Sequence, residues 1–182
     1  ATMYLCWVAL EGLYHLYNIP KHQLGMKLFG VFPQRLCDEY NFLTNGFDEI
    51  HNMPHSRHAA IDTSELAKHP ELHVLSEGFN SGPAIIATQD LHEIYVTGHF
   101  EYGRDTLADE YWRDFHRGLP TRLPENYFPD DDPERQPIFT WRAHANLLYR
   151  NWLNWVYQMT SYEFDQIPAA IEKLREQSEG KF

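Results

Sequence analysis

Residues 1–20 read ATMYLCWVALEGLYHLYNIP, and the order of elements within them decides the fold class. ATMYL has the character of the end of a β-strand. After Cys6, Trp7, Leu10, Leu13, Tyr14 and Tyr17 fall at three- and four-residue intervals, the period of an amphipathic helix that Pro20 ends. The local order is strand, cysteine, helix. A cysteine at such a turn has its sulfur against the orphan N–H groups of the helix start, which stabilise a thiolate and can hold a developing oxyanion. LCWVA has no glycine beside Cys6, so the glycine pattern of a hydrolase nucleophile elbow is missing. A buried thiol that packs as a small hydrophobe is the competing reading. With no initiating methionine and no partner strand upstream, the chain reads as the later part of a longer polypeptide.

Outward from this turn, KLFGVF (27–32) is an apolar run closed by Pro33, and NGF (45–47) is a turn signal. Together they predict two or three short strands over residues 28–50. HNMPHSRH (51–58) reads as a loop. LHVLSEGF (72–79), AIIAT (84–88) and EIYVTGH (93–99) are β-rich runs joined by four-residue connections, the pattern of an antiparallel meander. DTLADEYWRDFHRG (105–118) has a capping residue, acids early and bases late, and so predicts a dipole-matched helix ending at Gly118. Residues 119–137, rich in proline, read as irregular. WRAHANLLYRNWLNWVYQM (141–159) sets Trp141, Ala145, Leu148, Trp152 and Trp155 on one helical stripe, and DQIPAAIEKLREQ (165–177) reads as a shorter charged helix.

The 182 residues are 43% hydrophobic and 15% aromatic, enough for one sizeable core, and a single domain over 1–182 is expected. Fifteen Lys and Arg against 26 Asp and Glu leave a net charge of −11, which argues against nucleic acid or an anionic membrane surface as a partner. No apolar run approaches the roughly 18 residues of a membrane span. Cys6 and Cys37 make a poor disulfide framework, so free thiols in a reducing, cytoplasmic setting are expected.

In VTGHFEYGRDTL (96–107), His99 and Glu101 lie two positions apart at a strand end. If both are on the strand they share a face, where an imidazole can pair with a thiolate and a carboxylate can orient the imidazole. A solvent-exposed strand end is the alternative. His51, His55, His58, His69 and His73 are spaced across a proline-containing loop with no acidic ligand interleaved, which does not make a metal site. Arg113 could clamp a carboxylate or pair within its helix with Asp109 or Glu110. Arg142 and His144 could face a ligand, but their helix's tryptophan stripe reads as core.

The order of these pieces, a cysteine elbow, PHSRH, TGHFEYGRDTLADEYWRD, NYFPDDDP and WRAHANLLYRNWLNWVYQ, resembles the homoserine O-acyltransferase family of methionine biosynthesis, related to class I glutamine amidotransferases. The resemblance implies an α/β, flavodoxin-like sheet with flanking helices and an antiparallel meander, in a chain lacking its N-terminal part. It implies Cys6 as the nucleophile that carries the acyl group as a thioester, His99 as general base and Glu101 as the third triad member. It further implies Lys27, Ser56 and Arg113 as substrate-binding residues, and the N–H of Trp7 as an oxyanion donor. The activity implied is ping-pong transfer of acetyl or succinyl from acyl-CoA, as co-substrate and with no bound cofactor, to the hydroxyl of homoserine, in a homodimer. Serine as acceptor and an amidotransferase-like hydrolysis are the alternatives. The chain departs from the family pattern at Leu10, where a glutamine is usual, and at EYG in place of EYD.

Overall fold

The computed structural model describes residues 1–161 together with Pro168 and Ile171. The elements are β1 (Thr2–Leu5), α1 (Trp7–Tyr17), β2 (Lys21–Leu36), β3 (Ile50–Ile61), α2 (Thr63–Leu66), β4 (Leu72–Gly78), β5 (Gly82–Thr88), β6 (Glu93–Val96), α3 (Thr106–His116) and α4 (Arg142–Met159), with a 3₁₀ turn at Pro129–Asp131. The charged helix expected at 165–177 lies, those two residues apart, outside the described residues. The strands form one sheet in the order β1–β6–β5–β4–β2–β3. β4, β5 and β6 are the antiparallel meander that the short connections predict, and β1 adds to β6 in parallel.

Alternation along the strands separates two apolar layers. Ile85, Ala87, Ile94 and Val96 join Leu107, Tyr111, Trp141 and Leu148 on the side of α3 and α4. Ile86 and Tyr95 join Ala9, Leu10 and Leu13 of α1 on the other. The α4 stripe is as its spacing predicts: Trp141, Ala145 and Leu148 are buried, and Trp152 and Trp155 pack beside them. On α1 the buried line is Ala9, Leu10 and Leu13. Trp7 and Tyr14, expected on that face, are instead 55% and 46% exposed, with Lys21 Nζ over both rings. No helix among the described residues is long and apolar enough to cross a membrane.

Two expectations fail in the region before the meander. The two or three short strands of residues 28–50 are a single 16-residue strand, β2, that begins at Lys21. Pro33 is tolerated inside it because the N–H groups on that side of the strand are not used by β3: Val31 N–H already turns away, to Glu125 O at 2.8 Å. Gly30, at φ 146°, lets the 119–137 segment approach so closely that a Cβ there would overlap the Glu125 backbone. The supposed loop HNMPHSRH is most of β3, paired antiparallel along β2. Its polarity misleads because polar atoms of the buried side chains find partners: His51 Nε2 meets Ser76 Oγ at 3.0 Å, and Arg57 donates to two backbone carbonyls. Pro54 is accommodated because β3 is the sheet's edge.

Candidate active site

The parallel β1–β6 ladder pairs Leu5 with Val96, so both strands end at one level. Cys6 follows immediately, its N–H bonded to Val96 O at 2.7 Å and its carbonyl accepting the first α1 bond from Leu10 at 3.2 Å. These two bonds hold Cys6 at φ 48°, ψ −114°, a conformation that L-residues avoid and that throws the side chain outward at the helix start. The N–H groups of the first turn of α1, Trp7 among them, have no acceptor within the helix. Cys6 is partly exposed, not buried as the competing reading required, and is a free thiol, as is Cys37.

His99 arrives three residues after β6 ends. Gly98 makes this possible: a Cβ there would lie 2.5 Å from Met53 Sδ and 2.7 Å from Pro54 O. With that space open, His99 N–H bonds Pro54 O at 2.9 Å and the chain turns, closed by Tyr102 N–H to His99 O at 3.2 Å. The expectation that His99 and Glu101 share a strand face is therefore wrong in its reason. The ladder stops at Val96, and it is the turn that brings His99 Nδ1 to 2.6 Å from Glu101 Oε1. The imidazole also stacks on Tyr102, with centroids 4.1 Å apart. Burial opposes protonation of His99, but the hydrogen bonds it donates to Cys6 and Glu101, and their charges, outweigh it and push its pKa up to about 9. With Nδ1 committed to Glu101, Nε2 is the nitrogen left for Cys6.

The three residues expected to bind substrate, Lys27, Ser56 and Arg113, converge on one carboxylate that the sequence reading named only as a helix partner of Arg113. Glu110, on α3, receives Lys27 Nζ at 2.6 Å and Ser56 Oγ at 3.0 and 2.9 Å, and lies 3.7 Å from Arg113 Nη2. Arg113 is also bonded through Nε to Asp114 at 2.7 Å, so its intrahelical pairing is real. Lys27 reaches Glu110 because β2 bulges: Leu24–Lys27 stand against His58 alone, between the Gln23–Ala59 and Leu28–Arg57 pairs. Tyr102 lies between this cluster and the Cys6–His99–Glu101 group. Burial and the charges of Glu110, Glu101 and Cys6 all push its phenol up. Glu110 was detectable in the sequence only as the i−3 neighbour of Arg113, and Tyr102 carried no signal. His144 turns away to Asp48, at 3.1 Å, and Arg142 lies over the Phe139 ring.

Glutamine amidotransferases from Thermotoga maritima and from Methylobacillus flagellatus superpose on this chain with TM-scores of 0.57 and 0.57, over 83% and 84% of it and 60% and 62% of their own chains. At 12% and 11% identity they are alike in fold alone. In sequence, a homoserine O-acetyltransferase of Bifidobacterium adolescentis is 56% identical over 176 residues, which is 96% of this chain and 51% of that protein. One from Brevibacillus brevis is 48% identical over 166 residues, 91% of this chain and 54% of that protein. The chain thus spans about half the length of the curated relatives it matches. The family model described as homoserine O-succinyltransferase (HTS) matches residues 1–162, and the chain, with its α/β amidotransferase-like fold, belongs to that homoserine O-acyltransferase family.

Proposed function

We propose that the chain carries the catalytic groups of an acyl-CoA:homoserine O-acyltransferase of methionine biosynthesis. The observation that carries the reading is the meeting, at the ends of β1 and β6, of Cys6, His99 and Glu101, beside a second cluster of Lys27, Ser56, Glu110 and Arg113. In the first half-reaction the Cys6 thiolate attacks the thioester carbonyl of acyl-CoA, and first-turn N–H groups, that of Trp7 among them, hold the oxyanion. The carbon–sulfur bond to CoA breaks, and the proton on His99 goes to the departing CoA sulfur. An acyl-thioester remains on Cys6.

Loss of the Cys6 anion removes one of the two partners that favoured protonated His99, so the imidazole is now a base. It takes the proton of the acceptor hydroxyl as that oxygen attacks the thioester, and the Cys6 thiolate is released. An amino acid offers a carboxylate and an ammonium, and the second cluster offers complements to both. Arg113 and Lys27 are suited to the carboxylate and Glu110 to the ammonium. The names of the two relatives favour acetyl over succinyl as the group transferred.

Intact-mass measurement tests the reading. Incubation with acetyl-CoA or succinyl-CoA should add one acyl mass, absent in Cys6→Ala, and homoserine should discharge it with formation of O-acylhomoserine. Discharge at the same rate to free acid without homoserine would make the chain a hydrolase. Faster discharge by serine than by homoserine would reassign the acceptor.

A further inference from the structure

The side chain of Arg57 bonds to no member of either cluster and has no place in the mechanism above. It is 6% exposed, yet among the described residues no Asp or Glu carboxylate bonds it. Its guanidinium donates to Ala59 O and Ser81 O, and Nε lies 3.4 Å from His55 Nδ1. Every one of these partners is neutral. His55 is fully buried, and burial together with the charges of Arg57 and His99 holds it well below its usual protonation range. Beyond His55, Gln34 Nε2 lies 3.4 Å from the imidazole and donates to Ser81 Oγ at 2.8 Å, closing a neutral ring around the cation. A buried guanidinium bonded only to neutral groups is costly to keep, and an anion nearby offsets that cost.

The topology supplies that anion. Ser81, which Arg57 grips, immediately precedes β5. Thr97, which binds Pro83 O at 2.8 Å and Ala84 O at 2.9 Å, carries β6 into the turn that delivers His99. Arg57 therefore sits behind the same sheet end on which Cys6 stands. Its pKa is about 10, lowered by burial and raised by Cys6. The titratable and charged groups that interact with Cys6 are His99 and Tyr102, from the turn after β6, and Arg57, from β3; Glu101 is held on His99, and neutral His55 lies against Arg57.

We propose that Arg57 is a positioning residue for the nucleophile: a permanent cation, kept uncompensated behind the sheet end, whose counter-charge is the Cys6 thiolate. This deepens the acyltransferase reading and rests on it for the identity of the nucleophile. His99 can lend charge to Cys6 only while protonated, and it must give up its proton in each turnover. A guanidinium stays charged throughout, so it also favours release of the thiolate when the acceptor attacks the thioester.

The test is the pH dependence of Cys6 alkylation by iodoacetamide, followed by mass, in the wild-type chain, Arg57→Met and Arg57→Lys. The expected result is an alkylation curve displaced to higher pH in Arg57→Met, with a rate at pH 7 about tenfold below wild type, and a curve within about twofold of wild type in Arg57→Lys. A merely structural arginine would lower the melting temperature of both variants and displace neither curve. A folded Arg57→Met with the wild-type curve overturns the proposal. Should that variant fail to fold, Arg57→Gln takes its place: a curve displaced to higher pH supports the proposal and the wild-type curve overturns it. Alkylation requires no acyl-CoA, so a wild-type chain that resists acylation but shows the Arg57-dependent curve would refute the acyltransferase reading and leave this one standing.

Discussion

Cys6 holds φ 48° and ψ −114°, a conformation that costs a non-glycine residue on the order of 1–3 kcal/mol. The surrounding bonds to Val96 and Leu10 impose it. The identity of this residue and its place between strand and helix are legible in the sequence, and so is the candidacy of His99 and Glu101. Glu110 is not, because its importance comes from side chains 83 and 54 positions away. Two predictions belong at this scale. His99 binds its proton more tightly folded, up to about pH 9, than the ordinary value near 6.5. Its contribution is thus full below about pH 6.5 and is lost as pH rises through 9. Urea unfolding should show wild type losing on the order of 2–3 kcal/mol more than His99→Asn between pH 6.5 and 9.5. Glu110→Gln should leave formation of the acyl-Cys6 species unchanged and raise the KM for the amino-acid acceptor by about tenfold or more, read from single-turnover acylation and steady-state kinetics.

Between elements, the decisive contact is the passage of the β6 exit turn over β3. Gly98 has no room for a methyl group against Met53 Sδ and Pro54 O. Gly98→Ala should therefore cost about 1–3 kcal/mol in urea unfolding and, by displacing His99 from Pro54, lower kcat more than the stability loss explains. In α1, Leu10 and Leu13 are 1% and 0% exposed and fasten the helix whose start faces Cys6. Leu13→Ala should lower stability by about 2–5 kcal/mol, measured by the same denaturation, without moving the alkylation curve of Cys6. The meander, α1, α3 and α4 are legible from period and punctuation. β3 is not, because histidine, arginine and proline in HNMPHSRH look like surface residues until β2 brings Gln34 to them, and β4 and the hairpin beyond it bring Ser76 and Ser81.

For the whole molecule, buried histidines that must stay neutral set the acid limit. Burial and the charge of His144 lower His51 to about 4, and His55 is held well below its usual range by burial and by Arg57 and His99. A histidine depressed in the folded state takes up a proton on unfolding, so its contribution is present above about pH 6.5 and is lost as pH falls toward 4. Stability should fall from pH 7 to pH 4.5, and His51→Gln should flatten that fall by on the order of 2 kcal/mol, measured as urea midpoints across the range. With the opposite slope of His99, this places maximal stability near neutrality. The sequence by itself determined the strand–cysteine–helix turn, the meander and the amphipathic helices, because each depends on neighbours within a few residues. Only the tertiary structure decided that β3 is a strand, that Lys27, Ser56 and Arg113 share Glu110, and that Arg57 is buried with no carboxylate bonded to it among the described residues. The physical reason is that desolvation and charge pairing depend on which residues the sheet order brings together, and local periodicity carries no record of that order.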